Sequence, residues 1–327
     1  MRKAFFDCLF EQAHHDHNLY LMIGDVGFSV VESFQQTFPQ RFINAGIAEQ
    51  NMIGVAAGLA MAGKNVYVYS IVPFVTMRCF EQIRNNLCYQ KLQVKLIGVG
   101  GGFSYGALGV THHAIEDIAI MRALPEMSVV APANKYEASA LFGDINEKLG
   151  PVYIRLSNNE ELVTYPKNTT PKFGKTIVIT PHHQRYIIAT GNALDLAYQT
   201  QQHLATIGID IGLASMPTIK PLDYEFLANQ SLQALFTIEE HSIVGGLGES
   251  IASTLFRLGR NTITFHSFGV NDVYAHGAGT RSFLKEQAGL SKEKIAEVIV
   301  EKLKGVHGSR HSADGLVPHH ERDIRFF

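Results

Sequence analysis

The run Asn44-Ala45-Gly46-Ile47-Ala48-Glu49-Gln50-Asn51 puts a carboxylate at the start of a stretch rich in small residues, with Gly54, Ala56, Ala57, Gly58 and Ala60 behind it. A carboxylate in the first turn of a helix complements the helix dipole, and that alone accounts for a Glu here. It does not account for the small residues, which predict very close helix packing, as at a tight chain interface. A second group, Gly24-Asp25-Val26-Gly27-Phe28-Ser29, has two glycines that permit a tight turn. Asp25 and Ser29 can present polar groups to a ligand there or simply close the turn through an Asx bond. A third, Gly100-Gly101-Gly102-Phe103-Ser104-Tyr105-Gly106, leads to Gly109-Val110-Thr111-His112-His113. Such a loop is expected to be flexible and to let a ligand approach the backbone. The two His residues then open a predicted helix bearing Glu116 and Asp117. Thr111 can cap it, with the carboxylates complementing its dipole. Adjacent His side chains point in different directions, so donation to substrate oxygens is the better functional reading than metal binding. Arg155, near the end of an apolar run, suits an anion such as phosphate or a plain ion pair. Gly245-Gly246-Leu247-Gly248 lacks the full dinucleotide-loop spacing and predicts a turn with close helix packing. His14-His15-Asp16-His17 and His319-His320 read as solvated clusters.

These groups fall at the ends of predicted strands, where open α/β sheets place their ligands. Strands are expected over 19–23, 65–71, 94–99, 128–130 and 152–156. Helices are expected over 5–14, 49–62, 76–87, 116–123 and 135–148, with Gly63 and Gly150 as C-terminal stops. The alternation predicts a parallel sheet with helices on both faces. The strands are near-continuous apolar runs, as double-sided burial requires. Residues 157–175 hold Asn158, Asn159, Pro166, Asn168, Pro171 and Gly174 and little apolar period, which marks a linker. A second alternating series has strands over 186–189, 209–214, 234–238 and 262–268. Its last helix starts after Ser291, carries Ile295, Val298, Ile299 and Leu303 on one face, and is expected to stop at Gly305. The expected division is 1–160, a linker at 161–175, a smaller α/β domain at 176–305 and a polar tail at 306–327.

The 327 residues are 46% hydrophobic and 18% charged, with a net charge of −2. That is a globular composition, with nothing to favour nucleic acid or a membrane surface. The first residues lack a signal-peptide pattern, since Asp7 and Glu11 interrupt the apolar patch. Cys8, Cys79 and Cys88 have no metal-ligand spacing and read as reduced thiols of a cytoplasmic protein.

Taken in order, the segments resemble the C-terminal half of transketolases, which are thiamine-diphosphate enzymes. Gly46-Ile47-Ala48-Glu49-Gln50-Asn51-Met52 resembles the glutamate motif of their pyrimidine-binding domain. Thr111-His112-His113-Ala114-Ile115-Glu116-Asp117 resembles the stretch THQPIED. The run from Phe74 through Arg78 to Gln82 resembles the cofactor-contacting helix start of split transketolases. Val152-Tyr153-Ile154-Arg155-Leu156 resembles the strand with a phosphate-binding arginine, and Ile238-Glu239-Glu240-His241 the C-terminal domain. The likeness covers about residues 1–304. It implies a pyrimidine-binding domain followed by a transketolase C-terminal-like domain. It implies that Glu49 hydrogen-bonds N1′ of the aminopyrimidine, that Phe74 packs on that ring, and that Arg78 and Asp25 belong to the same pocket. His112 is implied as a donor to substrate oxygens, and Ser29, Arg155 and Arg2 as sugar-phosphate ligands.

The family holds the diphosphate and its Mg²⁺ with a GDG turn and a later Asn, and this chain has no such pair. The resemblance therefore implies an N-terminal-half partner that ligates the metal, an α₂β₂ assembly with a self-dimer inside it, and no metal ligand in this chain. Related enzymes with the same layout are 2-oxoacid dehydrogenase β subunits and deoxyxylulose-phosphate synthases. A non-catalytic scaffold is the reading from another class. Ordinary transketolases have an aspartate, contacting a sugar hydroxyl, where this chain has Leu108. They also have a phosphate-contacting histidine where it has the glycines 100–102. These departures imply an acceptor other than a standard pentose-phosphate aldose.

Overall fold

The computed structural model describes residues 1–157 and 162–308. Part of the linker expectation, with Asn158 and Asn159, and most of the tail, with His319 and His320, lie outside the described residues.

The first sheet is built from β1 (Leu19–Ile23), β2 (Phe42–Asn44), β3 (Asn65–Ile71), β4 (Val94–Val99), β5 (Ser128–Val130) and β6 (Val152–Leu156). The second uses β7 (Ile177–Thr180), β8 (Arg185–Ala189), β9 (Gly212–Ser215), β11 (Ala234–Ser242) and β12 (Thr264–Val270). One further strand, β10 (Thr218–Lys220), leaves the second series and joins the first sheet. The orders are β10-β5-β6-β4-β3-β1-β2 and β12-β11-β8-β9-β7. Pairing is parallel except for β10 on β5 and β7 on β9. The helix Arg2–His15 puts Phe5, Phe6 and Leu9 into the core on one face of the first sheet, with Leu21, Tyr67, Tyr69 and Ile154. The other face merges with the second sheet through a continuous core from Met52, Ile53 and Leu96 to Ile188, Leu235 and Leu255.

The five expected strands of the first half form with the expected bounds, and β2, β7 and β10 are additional. The helix expected over 76–87 is broken. The helix Val72–Thr76 has Pro73 in its first turn, a turn follows at Met77–Cys79, and Ile83–Cys88 winds in wider turns. The thiol of Cys79 donates to the Phe74 carbonyl at 3.2 Å, which takes that acceptor out of a regular ladder. The helix expected over 135–148 is also two pieces, Lys135–Ala140 and Phe142–Glu147. The last helix, Lys292–Gly308, runs past Gly305. A helical glycine costs only about 1 kcal/mol, too little by itself to end a well-packed helix.

Candidate active site

β4, β3 and β1 are parallel neighbours, so Gly24, Ser70 and Gly100 gather at one edge of the sheet. Glu49 opens the helix Glu49–Met61 beside them and is 1% exposed. One carboxylate oxygen accepts from Ser70 Oγ at 3.2 Å and the other from Arg78 Nη1 at 2.7 Å. Gly24 permits this closeness, because a Cβ there would stand 3.0 Å from Ser70 Oγ and 3.4 Å from Glu49 Cγ. Arg78 lies with its guanidinium carbon 4.5 Å from the centre of the Phe74 ring, a cation–π distance. The Phe74 ring meets His112 edge-on, centroids 5.2 Å apart. Thr111 Oγ1 lies 3.0 Å from His112 Nδ1, and Tyr105 flanks the imidazole at 6.3 Å. Glu49, Arg78, Phe74 and His112 thus form a continuous line. The break after Thr76 is what turns Phe74 and Arg78 onto it. Cys79 is no nucleophile here, since burial and then the Glu49 charge push its thiol up to about 12.

Asp25 and Ser29 belong to a neighbouring turn, against which the helix Arg2–His15 sets Arg2. Asp25 has φ 54° and accepts from Asn44 Nδ2 at 3.0 Å, while its own N–H donates to Asn44 Oδ1 at 3.2 Å. Asn44 Oδ1 also accepts from Gly46 N, so the Asp25–Asn44 pair fixes the approach to Glu49. Ser29, at φ 71°, donates its N–H to Glu32 and holds that carboxyl below its usual range. Arg2 Nη2 reaches the carbonyl of Phe28, at 3.5 Å. The turn is closed by the Val30 N–H on the Gly27 carbonyl, not by the expected Asx bond, since Asp25 is paired with Asn44; the Ser29 side chain is exposed.

Arg155 is a correction. Its side chain is 1% exposed and its guanidinium is taken up within the protein. Nε donates to Asp117 at 2.8 Å and Nη2 to the carbonyls of Ala114 and Glu240 at 2.7 and 3.0 Å. Tyr153 shares the Asp117 carboxylate at 2.7 Å. Arg155 therefore pins the two halves together and is not offered to a phosphate. Its place near a strand end was legible; its burial under the second half was not.

The glycine loop is a second correction. Gly100, Gly101, Gly102 and Phe103 are buried, not exposed to a ligand. Gly102 has φ 65°, and a Cβ on it would stand 2.4 Å from the Glu240 carboxylate. Nor do His112 and His113 open a helix: they sit in a turn, Gly102 bridges to Ala114, and the helix starts at Asp117. Gly245–Gly248 does give close packing. A Cβ on Gly246 would meet the Glu239 carboxylate at 2.2 Å, and Glu239 accepts from Leu247 N and Gly248 N. Sequence reasoning missed Ser70, whose signal is the one serine near the end of the apolar run of β3. It also missed Arg281, which pairs with Glu240 at 2.8 Å from far along the chain and has no local signal. Among the described residues, no group of three or more His, Cys, Asp or Glu side chains is placed to hold a metal ion. No described helix is long and apolar enough to cross a membrane.

These features define a two-sheet α/β chain with a buried carboxylate and an aromatic face at the strand ends. Residues 1–161 match the pyrimidine-binding domain of transketolase and residues 174–295 the transketolase C-terminal domain. A Methanocaldococcus jannaschii protein described as a transketolase C-terminal section is 38% identical over 93% of this chain and 96% of its own. An apulose-4-phosphate transketolase subunit from Phocaeicola vulgatus is 35% identical over 93% of this chain and 97% of its own. The solved structure of a split-gene transketolase, an inactive β4 tetramer, superposes with a TM-score of 0.81 at 33% identity, covering 93% of this chain and 97% of that one. The chain belongs to the transketolase family, as its C-terminal section.

Proposed function

We propose that this chain is one subunit of a thiamine-diphosphate-dependent transketolase that moves a two-carbon ketol unit between sugar substrates. The observation that carries the reading is the buried Glu49 carboxylate set beside the half-buried Phe74 ring. These residues fit the aminopyrimidine half of the cofactor: an acceptor for N1′ and an apolar face for the ring. When bound, the cofactor supplies carbanion chemistry at thiazolium C2. Glu49 holds a proton at N1′, Ser70 orients its other oxygen, and His112 donates to oxygens of the sugar. Arg78, 43% exposed, now holds one Glu49 oxygen and covers one face of Phe74, and would have to yield both to an aminopyrimidine.

The diphosphate and Mg²⁺ are assigned to an N-terminal-half partner, and the isolated chain is inactive. The related split-gene β4 tetramer is inactive too, which supports that reading. The exposed face of the helix Glu49–Met61, with Asn51, Gly54, Val55 and Gly58, suits close packing against another chain in an α₂β₂ assembly. Arg2 and Ser29 are the remaining candidates for a substrate phosphate. Leu108, 56% exposed, puts an apolar side chain where a hydroxyl-binding carboxylate would stand, so the acceptor is a less hydroxylated or modified sugar.

The test is hydrogen–deuterium exchange at cofactor C2 in the enzyme reconstituted with its partner. Glu49→Ala should slow exchange by about 10²–10⁴-fold while the chain stays folded. Exchange at the parent rate would reduce Glu49 to a helix-start residue.

A further inference from the structure

The loop carrying His112 is gripped from behind by the second half of the chain. Its neck is closed by Gly102 and Ala114, which exchange backbone hydrogen bonds at 2.8 and 2.9 Å. His112 sits two residues before that closure. Three groups of the second half reach this loop. Glu240 Oε1 accepts from Phe103 N at 2.7 Å. Asn192 Nδ2 donates to the Gly101 carbonyl at 3.2 Å. Gly279 N donates to the Gly106 carbonyl at 3.2 Å. Arg281 ties the three together. Its Nε and Nη2 bind both Glu240 oxygens at 2.8–3.1 Å, Nη2 also donates to the Asn192 carbonyl at 3.0 Å, and Arg281 begins the helix directly after Gly279-Thr280. The grip passes on to the histidines. His113 Nε2 lies 3.2 Å from the Gly106 carbonyl and its ring meets Phe103 edge-on at 5.2 Å.

We propose that Glu240 and Arg281 are positioning residues for His112, so that the second domain sets the reach of the substrate-facing loop in the first. The inference rests on the reading of His112 as a donor to substrate. Attachment of the two halves is a different job, already done by Arg155 through the carbonyls of Ala114 and Glu240 and by β10 through its pairing with β5. Glu240 is 1% exposed, and both of its oxygens are committed to this contact. Gly102 can have no side chain because the Glu240 carboxylate fills that space. A displaced donor loses turnover steeply, about a hundredfold for 1 Å. The loop glycines therefore admit a clamp from the neighbouring domain.

The experiment uses Arg281→Met and Arg281→Lys. In the isolated full chain, amide hydrogen exchange of segment 103–113 should speed by about tenfold or more in Arg281→Met, with β4 and β6 unchanged, because the opening is local. In the reconstituted enzyme, turnover should fall by about tenfold to a hundredfold while C2 exchange, governed by Glu49, keeps the parent rate. Arg281→Lys, which can still bind Glu240, should recover part of both. Parent-like protection of 103–113 in Arg281→Met would overturn the proposal, as would an equal loss of C2 exchange and turnover. His112→Asn separates the two layers. If it leaves turnover intact, the donor reading of His112 fails, while the amide exchange still judges the clamp.

Discussion

Replacing Arg155 by methionine should make the chain unfold more easily. Arg155 and Asp117 are 1% and 0% exposed. Methionine fills much of the volume but removes every donor. Asp117 keeps only the Tyr153 hydroxyl, and the carbonyls of Ala114 and Glu240 lose their shared partner. Removing one member of a buried ion pair costs about 3–5 kcal/mol, because the other charge stays behind. That is a large part of a typical total stability of about 5–15 kcal/mol. At about 2 °C per kcal/mol for a chain of this size, the melting temperature should drop by roughly 6–10 °C. The assay is thermal or urea unfolding of the isolated chain with no substrate present. Asp117→Leu combined with Arg155→Met should be less damaging than the sum of the two, by about 0.5–3 kcal/mol. Melting within about 1 °C of the parent, with KM rising only for a phosphorylated substrate, would refute this reasoning and return Arg155 to the ligand.

His241 gives a pH prediction. Burial holds its imidazole down to about 4 from 6.5, with Nε2 accepting from Ala119 N and Nδ1 bonded to the Ser242 carbonyl, as fits a neutral ring. Its contribution is complete above pH 6.5 and lost as pH falls toward 4, up to about 3 kcal/mol at about 1.4 kcal/mol per unit. His241→Gln can still accept from Ala119, so the parent's advantage over it should shrink across that window in urea titrations; parallel profiles would sink the argument. For substrate, the reconstituted enzyme should show kcat/KM below about 10⁴ M⁻¹s⁻¹ with xylulose 5-phosphate and ribose 5-phosphate. Higher values would mean that the loss of a carboxylate at Leu108 is compensated.

The strands were legible because double-sided burial writes itself as near-continuous apolar runs, as in Leu19–Ile23. β2 and β10 were not: they are the two edge strands of the first sheet and only partly buried, so unlike the equally short but fully buried β5 they carry no continuous apolar run. Glu49 was legible through the resemblance of Gly46–Met52 to the transketolase glutamate motif; composition alone left it as a first-turn carboxylate ahead of small residues. The direction of the error at Arg155 and at Gly100–Gly102 is the same. Both suggest a ligand, and both are occupied by the second half of the chain. Sequence shows that a position needs a cation or a missing side chain, but the neighbour that fills the need lies far away. Glu240 is 137 residues from Phe103 and 85 from Arg155. The broken helix near Thr76 was hidden because its apolar period continues through the break.

The placement of β10 bears on how the protein comes into being. The strand that completes the first sheet is made only after β7, β8 and β9 of the second. Until Lys220 has left the ribosome, β5 presents an open margin of unpaired N–H and C=O groups to any passing chain. When it arrives, Lys220 also donates its ammonium to the carbonyls of Arg122 and Leu124, sealing the end of a helix made long before. Closure between such distant stretches is slow. The nascent polypeptide must therefore carry an unfinished sheet through a long interval of synthesis, and a gene cut between its halves would leave one product frayed and the other with a strand that has nowhere to pair.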